Sequence, residues 1–345
     1  EPQRPNMSWR VFTCAVLLLL FVMMCCCTGG AVHAGESKSG DVQLPQWVDV
    51  FVPNKTQVVP KEGSETGVKD SFAAPSLVRA GGVMIAFAEG LSEYDGHEHD
   101  LIGIRSSDIV AGYIKAAETW PSIVAEVNDV KWRAHTVLGS GNDDNHLSVL
   151  HWPTSIARDN KVFLLAGSDT LRYDTGSQQW VKAGWDIQLV EGVATQSTDG
   201  EQSTLINWAE PKSLSQQIST HTQGKLTDFL ATGGSGIVMQ NGTLVFPLVA
   251  EEKNGPTVSM ITYSTDDGKN WVFSMGMASG GCADPRITEW EKGQILMIVQ
   301  CFDGQSVYES RDMGATWTEA VGTLSGVWVR PELGVHFDEK LRVGA

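Results

Sequence analysis

Several kinds of residue are scarce in this chain, and each scarcity excludes something. Basic side chains are outnumbered, 25 Lys and Arg against 41 Asp and Glu, for a formal net charge of −16. Such a chain repels nucleic acid and anionic lipid headgroups, and no basic block offsets the imbalance, so nucleic-acid binding is excluded. Glycine-rich phosphate loops, Cys-x-x-Cys pairs and nucleophile elbows are missing. Long apolar runs are missing too, except Val11 to Met24. That run is short for a bilayer span and is interrupted after the cysteines by Gly29 and Gly30. Met7 and Arg10 precede it, and Cys25 to Cys27 and Val32-His33-Ala34 follow. This is the n-region, h-region and small-residue cleavage order of a secretory signal, with a retained signal anchor as the alternative. Residues 1–34 are therefore expected to be removed and 35–345 to form the folded domain.

Four of the six cysteines leave with that segment, so Cys282 and Cys301 remain. In an oxidising compartment two cysteines suggest one disulfide, with two buried thiols as the alternative. A hairpin turning at Lys292-Gly293 would bring them nearly opposite each other, and this favours the bond. The sequons at Asn54 and Asn241 suit a secreted glycoprotein.

Amphipathic helices of useful length are also wanting, and strands and turns fill the chain. Hairpins are expected around Gly81-Gly82, Asp159-Asn160, Asn241-Gly242 and Lys292-Gly293. Further strand-like segments follow each one. The clearest four-strand unit is Gly236 to Gln240, Thr243 to Val249, Thr257 to Ser264 and Trp271 to Ser274. Repeated four-stranded units are blades of a β-propeller. A β-sandwich is the plainer alternative, but a repeated motif decides against it. Ser264, Asp266, Gly268 and Trp271 recur as Ser310, Asp312, Gly314 and Trp317, one blade length further on. In this S-x-D-x-G-x-[TN]-W pattern the carboxylate accepts the turn's own amides, glycine supplies an unusual backbone conformation, and tryptophan anchors the returning strand. Looser versions are read at Ser106-Ser107-Asp108 with Thr119-Trp120, and at Asp174-Thr175-Gly176 with Trp180.

The pattern is the Asp box, or BNR repeat, of sialidase propellers, a structural element of the turn between a blade's third and fourth strands. Ser71-Phe72-Ala73-Ala74-Pro75-Ser76-Leu77-Val78, Gly281-Cys282-Ala283-Asp284-Pro285, Glu289-Trp290 and Tyr308-Glu309-Ser310 extend the match. Over residues 42–330 the chain resembles the trypanosomal trans-sialidase superfamily. The resemblance implies an all-β, six-bladed propeller. About four blades are counted here, so the propeller is expected to continue past the C-terminal end of this chain. It also implies a chemistry in which three arginines hold the sugar carboxylate, an aspartate is the acid/base, and a tyrosine paired with a glutamate is the nucleophile.

Carried over residue by residue, those roles are replaced. The first arginine is Ala73, the pocket aspartate is Glu89, the acid/base aspartate is Trp152, and the glutamate is Asp284. The second arginine falls on Gln300 or a close neighbour. The third arginine and the tyrosine–glutamate pair would lie beyond Ala345. Arg79, Arg105 and Arg286 are conceivable substitutes, more simply explained as rim positions. Asp95 to Asp100 and Asn142 to His146 mix ligand types but read as solvated loops, so neither metal nor cofactor is expected. The resemblance thus implies a non-catalytic surface glycoprotein that binds host glycans, glycoproteins or complement components in host–parasite contact. The rivals are an active exo-alpha-sialidase or trans-sialidase, and a secreted propeller with no glycan role.

Overall fold

The computed structural model describes residues 47–61, 66–93, 105–115, 119–139, 146–195, 205–214, 225–253, 255–302 and 304–320. Residues 1–34, expected to be a secretory signal, and residues 95–100 lie outside them, as does the 142–146 motif except the backbone of His146.

Within them the chain forms four successive antiparallel units of four strands. Blade 1 follows a short strand β1 (Val58–Val59). It comprises β2 (Ser71–Ala80), β3 (Val83–Glu93), β4 (Arg105–Lys115) and, after helix α1 (Trp120–Val127), β5 (Ala134–Leu138). Blade 2 is β6 (His146–Arg158), β7 (Lys161–Asp174), β8 (Gln179–Ala194) and β9 (Ile206–Trp208), with β10 (Lys212–Ser213) beside β8. In blade 3 the first strand is split. Its parts β11 (Leu226–Leu230) and β13 (Ile237–Val238) both pair with β14 (Leu244–Glu252), and β12 (Gly234–Ser235) between them runs parallel to β6 instead. Then come β15 (Thr257–Ser264) and β16 (Val272–Phe273). Blade 4 is β17 (Cys282–Glu291), β18 (Gln294–Cys301), β19 (Gly304–Ser310) and β20 (Thr318–Glu319).

The hydrophobic pattern explains the stacking. A second strand covered on both faces must be apolar at every position, unlike a half-solvated strand. Val162 to Ala166 and Leu244 to Ala250 are buried throughout. Their period of two divides them between seams. Val162, Leu164 and Ala166 face blade 1 with Ile85, Phe87 and Ile109, whereas Phe163 and Leu165 join Phe246, Leu248 and Trp271 of blade 3. Val245 and Ile261 in turn meet Ile295, Met297 and Val299 of blade 4. Face-to-face stacking of such units is a β-propeller.

Three readings need correction. Ser106-Ser107-Asp108 lies inside β4, hydrogen-bonded across to β3, and so is not a turn at all. Asp174 does accept the Gly176 amide at 2.9 Å, but between the second and third strands of blade 2, where no Asp box belongs. A helix exists where none was expected. α1 begins at the Trp120-Pro121 pair, proline being tolerated in a first turn, and buries Val124 and Val127.

Candidate functional site

Each innermost strand carries the same distortion. Ladder pairing skips between Ala73 and Ser76, His151 and Thr154, Thr227 and Leu230, and Ala283 and Arg286. Within each gap one residue is left-handed: Ala74 (φ 47°), Trp152 (φ 53°), Asp228 (φ 49°) and Asp284 (φ 49°). In three blades a proline follows, at Pro75, Pro153 and Pro285. Proline cannot donate to a ladder, so a bulge is where a sheet accommodates it, and a bulge re-aims the side chain before it. Non-glycine residues at positive φ carry strain of about 1–3 kcal/mol each, and such strain gathers at functional sites.

The segment Thr232 to Gly236 ties these bulges together. Gly233 N donates to Trp152 O at 3.3 Å, Thr232 N to Thr154 Oγ1 at 3.2 Å, and Gly236 N to Ser155 O at 3.0 Å. Ser76 Oγ donates to Gly234 O at 2.6 Å and also touches Ser155 Oγ. From blade 4, Arg286 Nη1 donates to Thr232 O at 3.0 Å. A β-carbon on Gly233 would stand 3.7 Å from Ala74 and 4.0 Å from Trp152. All four blades therefore converge here.

Three of the sequence-derived positions meet at this centre. Ala73 lies opposite Glu89 in the β2–β3 ladder. Glu89 is 8% exposed, and its Oε1 accepts the Trp152 amide at 2.5 Å, so this carboxylate braces the bulge of the next blade. Asp284 is exposed on the blade 4 bulge. Gln300 pairs with Ala283, and its neighbour Cys301 pairs with Cys282. Cys282 and Cys301 are disulfide-bonded, fixing the strand end on which the second arginine was placed. Beside Ala73 a cavity of about 660 Å³ is lined by apolar groups such as Val50, Phe51, Phe72 and Leu77, with Asp49 its sole charged residue.

Sequence reading missed a polar cluster at the seam of blades 2 and 3. Lys182 Nζ lies 3.2 Å from Asp169 and 2.7 Å from Asp228, and His151 Nε2 lies 3.6 Å from Asp169. Burial opposes the charged form of Asp169, but His151 and Lys182 together bring its pKa below the ordinary value. Gly167 makes room for His151, since a β-carbon there would fall 2.2 Å from the ring. The His151 ring packs edge-on to Trp152 with centroids 4.7 Å apart. Trp185, register partner of Asp169, stands 5.4 Å from Phe229. The available signal was Asp228 in a bulge equivalent to those before Pro75, Pro153 and Pro285, but its own successor is Phe229.

The Asp-box residues lie at the other ends of the blades. Asp266 Oδ1 accepts Ser264 Oγ and Asn270 N, both at 2.9 Å, and Gly268 N donates to Ser264 Oγ at 2.9 Å. Asp312 repeats this with Ser310 Oγ and Thr316 N at 2.9 Å, and Gly314 N donates to Ser310 Oγ at 2.8 Å. Asn54 and Asn241 are exposed. Among the described residues no group of three or more His, Cys, Asp or Glu side chains is placed to hold a metal.

Stacked four-stranded blades, Asp-box turns and bulged inner strands define a β-propeller of the sialidase type. Comparison with known proteins agrees. The BNR repeat-like domain family matches residues 74–342. Sialidase 85-1.1 of Trypanosoma cruzi is 49% identical over 300 residues, covering 86% of this chain and 39% of that protein. A second Trypanosoma cruzi sialidase is 35% identical over 252 residues, covering 71% of this chain and 20% of its own length. Among solved structures, Trypanosoma rangeli sialidase in complex with the inhibitor DANA superposes with a TM-score of 0.64 at 29% identity, over 81% of this chain and 43% of that one. The chain belongs to the BNR-repeat family and, within it, to the trypanosomal sialidase and trans-sialidase superfamily.

Proposed function

We propose that this chain is part of a secreted or surface protein that uses a sialidase propeller to bind host glycans or glycoproteins without cleaving sialic acid. The observation that carries the reading is Ala73. The resemblance places a carboxylate-clamping arginine there, and alanine offers no charge-assisted bond. The surroundings support it. The cavity beside Ala73 has no cationic side chain in its lining, Glu89 is engaged by the Trp152 backbone, and Trp152 brings an indole that cannot transfer a proton. Export rests on the segment Met7 to Ala34, and the exposed sequons at Asn54 and Asn241 suit the same route. Among the described residues no helix is long and apolar enough to cross a membrane.

The rival reading, an active sialidase, draws on the names of the relatives, of which this chain spans 39% and 20%. The deciding experiment is incubation of the purified full-length protein with a fluorogenic sialoside, beside an active trypanosomal sialidase. Release is expected to equal that of a heat-denatured sample, and release clearly above it overturns the proposal. A glycan array run on the same preparation tests the binding half.

A further inference from the structure

We infer that the seam of blades 2 and 3 binds an uncharged saccharide, holding its hydroxyls between Asp169, Lys182 and Asp228 beside the Trp152 indole, and that it disfavours sialylated glycans. The inference rests on the non-cleaving, glycan-binding reading above and names the ligand class for it.

Charge comes first. A sialylated ligand carries a carboxylate, so its site must supply a cation that the protein does not already neutralise. Ala73 supplies none. Lys182 is shared between two carboxylates, at 3.2 Å from Asp169 and 2.7 Å from Asp228. Asp169, Lys182 and Asp228 together sum to a single negative charge. Arg286 Nη1 is directed at the carbonyls of Thr232, Gly233 and Pro285. Asp284 adds a further exposed carboxylate on the neighbouring bulge. A ligand carboxylate entering this surface meets net repulsion.

Hydroxyl groups meet the opposite situation. A sugar hydroxyl both donates and accepts, so it inserts into a carboxylate–ammonium–carboxylate chain without leaving either partner unsatisfied. The members are within reach, with side-chain exposures of 29% for Asp169, 45% for Lys182 and 28% for Asp228. His151, its Nε2 3.6 Å from Asp169 and its Nδ1 without a hydrogen-bond partner among the described residues, makes the wall behind Asp169 polar. Half-buried Trp152 and Trp185 flank the cluster and offer apolar surface to the C–H face of a pyranose ring. The bulges that hold Trp152 and Asp228 at positive φ fix this arrangement in advance of binding.

The test is calorimetric titration of the full-length protein with lactose and with 3'-sialyllactose, at low and at physiological salt. Lactose is expected to bind at least about 10-fold more tightly, with the gap widest at low salt. Asp228→Asn is expected to weaken lactose binding about 5-fold or more while leaving the melting temperature close to wild type. Ala73→Arg, in the neighbouring blade, is expected to narrow the gap by strengthening 3'-sialyllactose binding. Equal or tighter binding of 3'-sialyllactose by the unaltered protein overturns this inference and leaves the non-cleaving binder standing. Absence of binding to either sugar overturns this inference, and absence of binding across the glycan array as well overturns the binder reading. Lactose binding unchanged in both Asp228→Asn and Lys182→Met refutes the site.

Discussion

Blades 3 and 4 carry the Asp-box sequence between third and fourth strands, and the sequence between those strands of blades 1 and 2 lacks it, yet a tryptophan stands at the fourth strand of all four. In blade 3 it is Trp271, whose Nε1 donates to Gly268 O at 3.1 Å and whose ring meets Phe246 and Phe163. In blade 1 it is Trp132, donating to Tyr113 O at 3.0 Å from beyond helix α1. In blade 2 it is Trp208, donating to the Tyr113 hydroxyl at 2.7 Å, while burial pushes that phenol up to about 12. Blade 4 has Trp317, half-buried, its Nε1 without a partner among the described residues. The lesson is that the indole is the constant part and the Asp box one of several ways to deliver it. Where the box is absent, a glycine in the third strand gives the indole room. A β-carbon on Gly112 would fall 2.8 Å from Trp132, and one on Gly192 would fall 2.7 Å from Trp208.

The largest effects come from removing that constant part. Trp132→Ala and Trp271→Ala are each expected to cost about 3–5 kcal/mol of unfolding free energy, because each empties a buried, hydrogen-bonded site. Trp317→Ala is expected to cost less than half as much. Denaturant unfolding of the three variants tests the order, and an equal loss at Trp317 would break the comparison. Blade 4 has a second fastening. Its disulfide closes a separation of 19 residues, and Cys282→Ser with Cys301→Ser is expected to cost about 3 kcal/mol. If Trp317→Ala becomes markedly more costly in that background, bond and indole share the work of holding blade 4.

The glycines sharpen the same point at smaller scale. Gly192→Ala is expected to lose about 1–3 kcal/mol by overpacking against Trp208. Gly184→Ala, with nothing within 4 Å of its β-carbon, is expected to change stability by no more than about 0.5 kcal/mol. Thermal melts of the two variants side by side decide whether space for the indole is what Gly192 provides.

Much of this architecture was legible in the sequence, for reasons that differ by residue. The four hairpins show because their turns need particular residues, such as Asn241-Gly242 with Gly242 at φ 87°. The Asp boxes of blades 3 and 4 show because every function is carried within eight consecutive residues. Trp132 and Trp208 were missed, and Trp120 and Trp180 taken in their place, because an indole that packs on a distant glycine leaves no local spacing to find. The candidate site divides the same way. Ala73, Glu89, Trp152 and Asp284 were singled out through motifs adjoining them in sequence. Lys182 and Asp169 were not, because Lys182 joins Asp169 of its own blade to Asp228 across a blade seam, and such a contact between distant segments has no signature in either of them.

The smallest expected effect concerns pH and tests whether the Asp box is an electrostatic device or merely a shape. Hydrogen bonds from the Asn270 backbone, the Asn270 side chain and Ser264 lower the Asp266 pKa to about 2. Hydrogen bonds from the Thr316 hydroxyl, the Thr316 backbone and Ser310 lower that of Asp312. A carboxyl whose pKa is depressed on folding binds its proton more readily in the unfolded chain. Its stabilisation is therefore complete above the ordinary carboxylate pKa of about 4 and is lost as pH falls through the folded value. For Asp266 the window runs from about pH 4 down to about pH 2. Asp266→Asn keeps the shape of the side chain but removes the titration. The melting temperature of the variant is expected to lie below wild type at pH 6, to approach it as pH drops from 4 to 2, and to gain nothing further below that. Asp312, whose pKa is lowered in the same direction, is expected to contribute acid-sensitive stability to blade 4 that Asp312→Asn removes. Parallel melting curves for wild type and Asp266→Asn across that range would show that the carboxylate charge contributes nothing, leaving the turn to Gly268 and Trp271 alone.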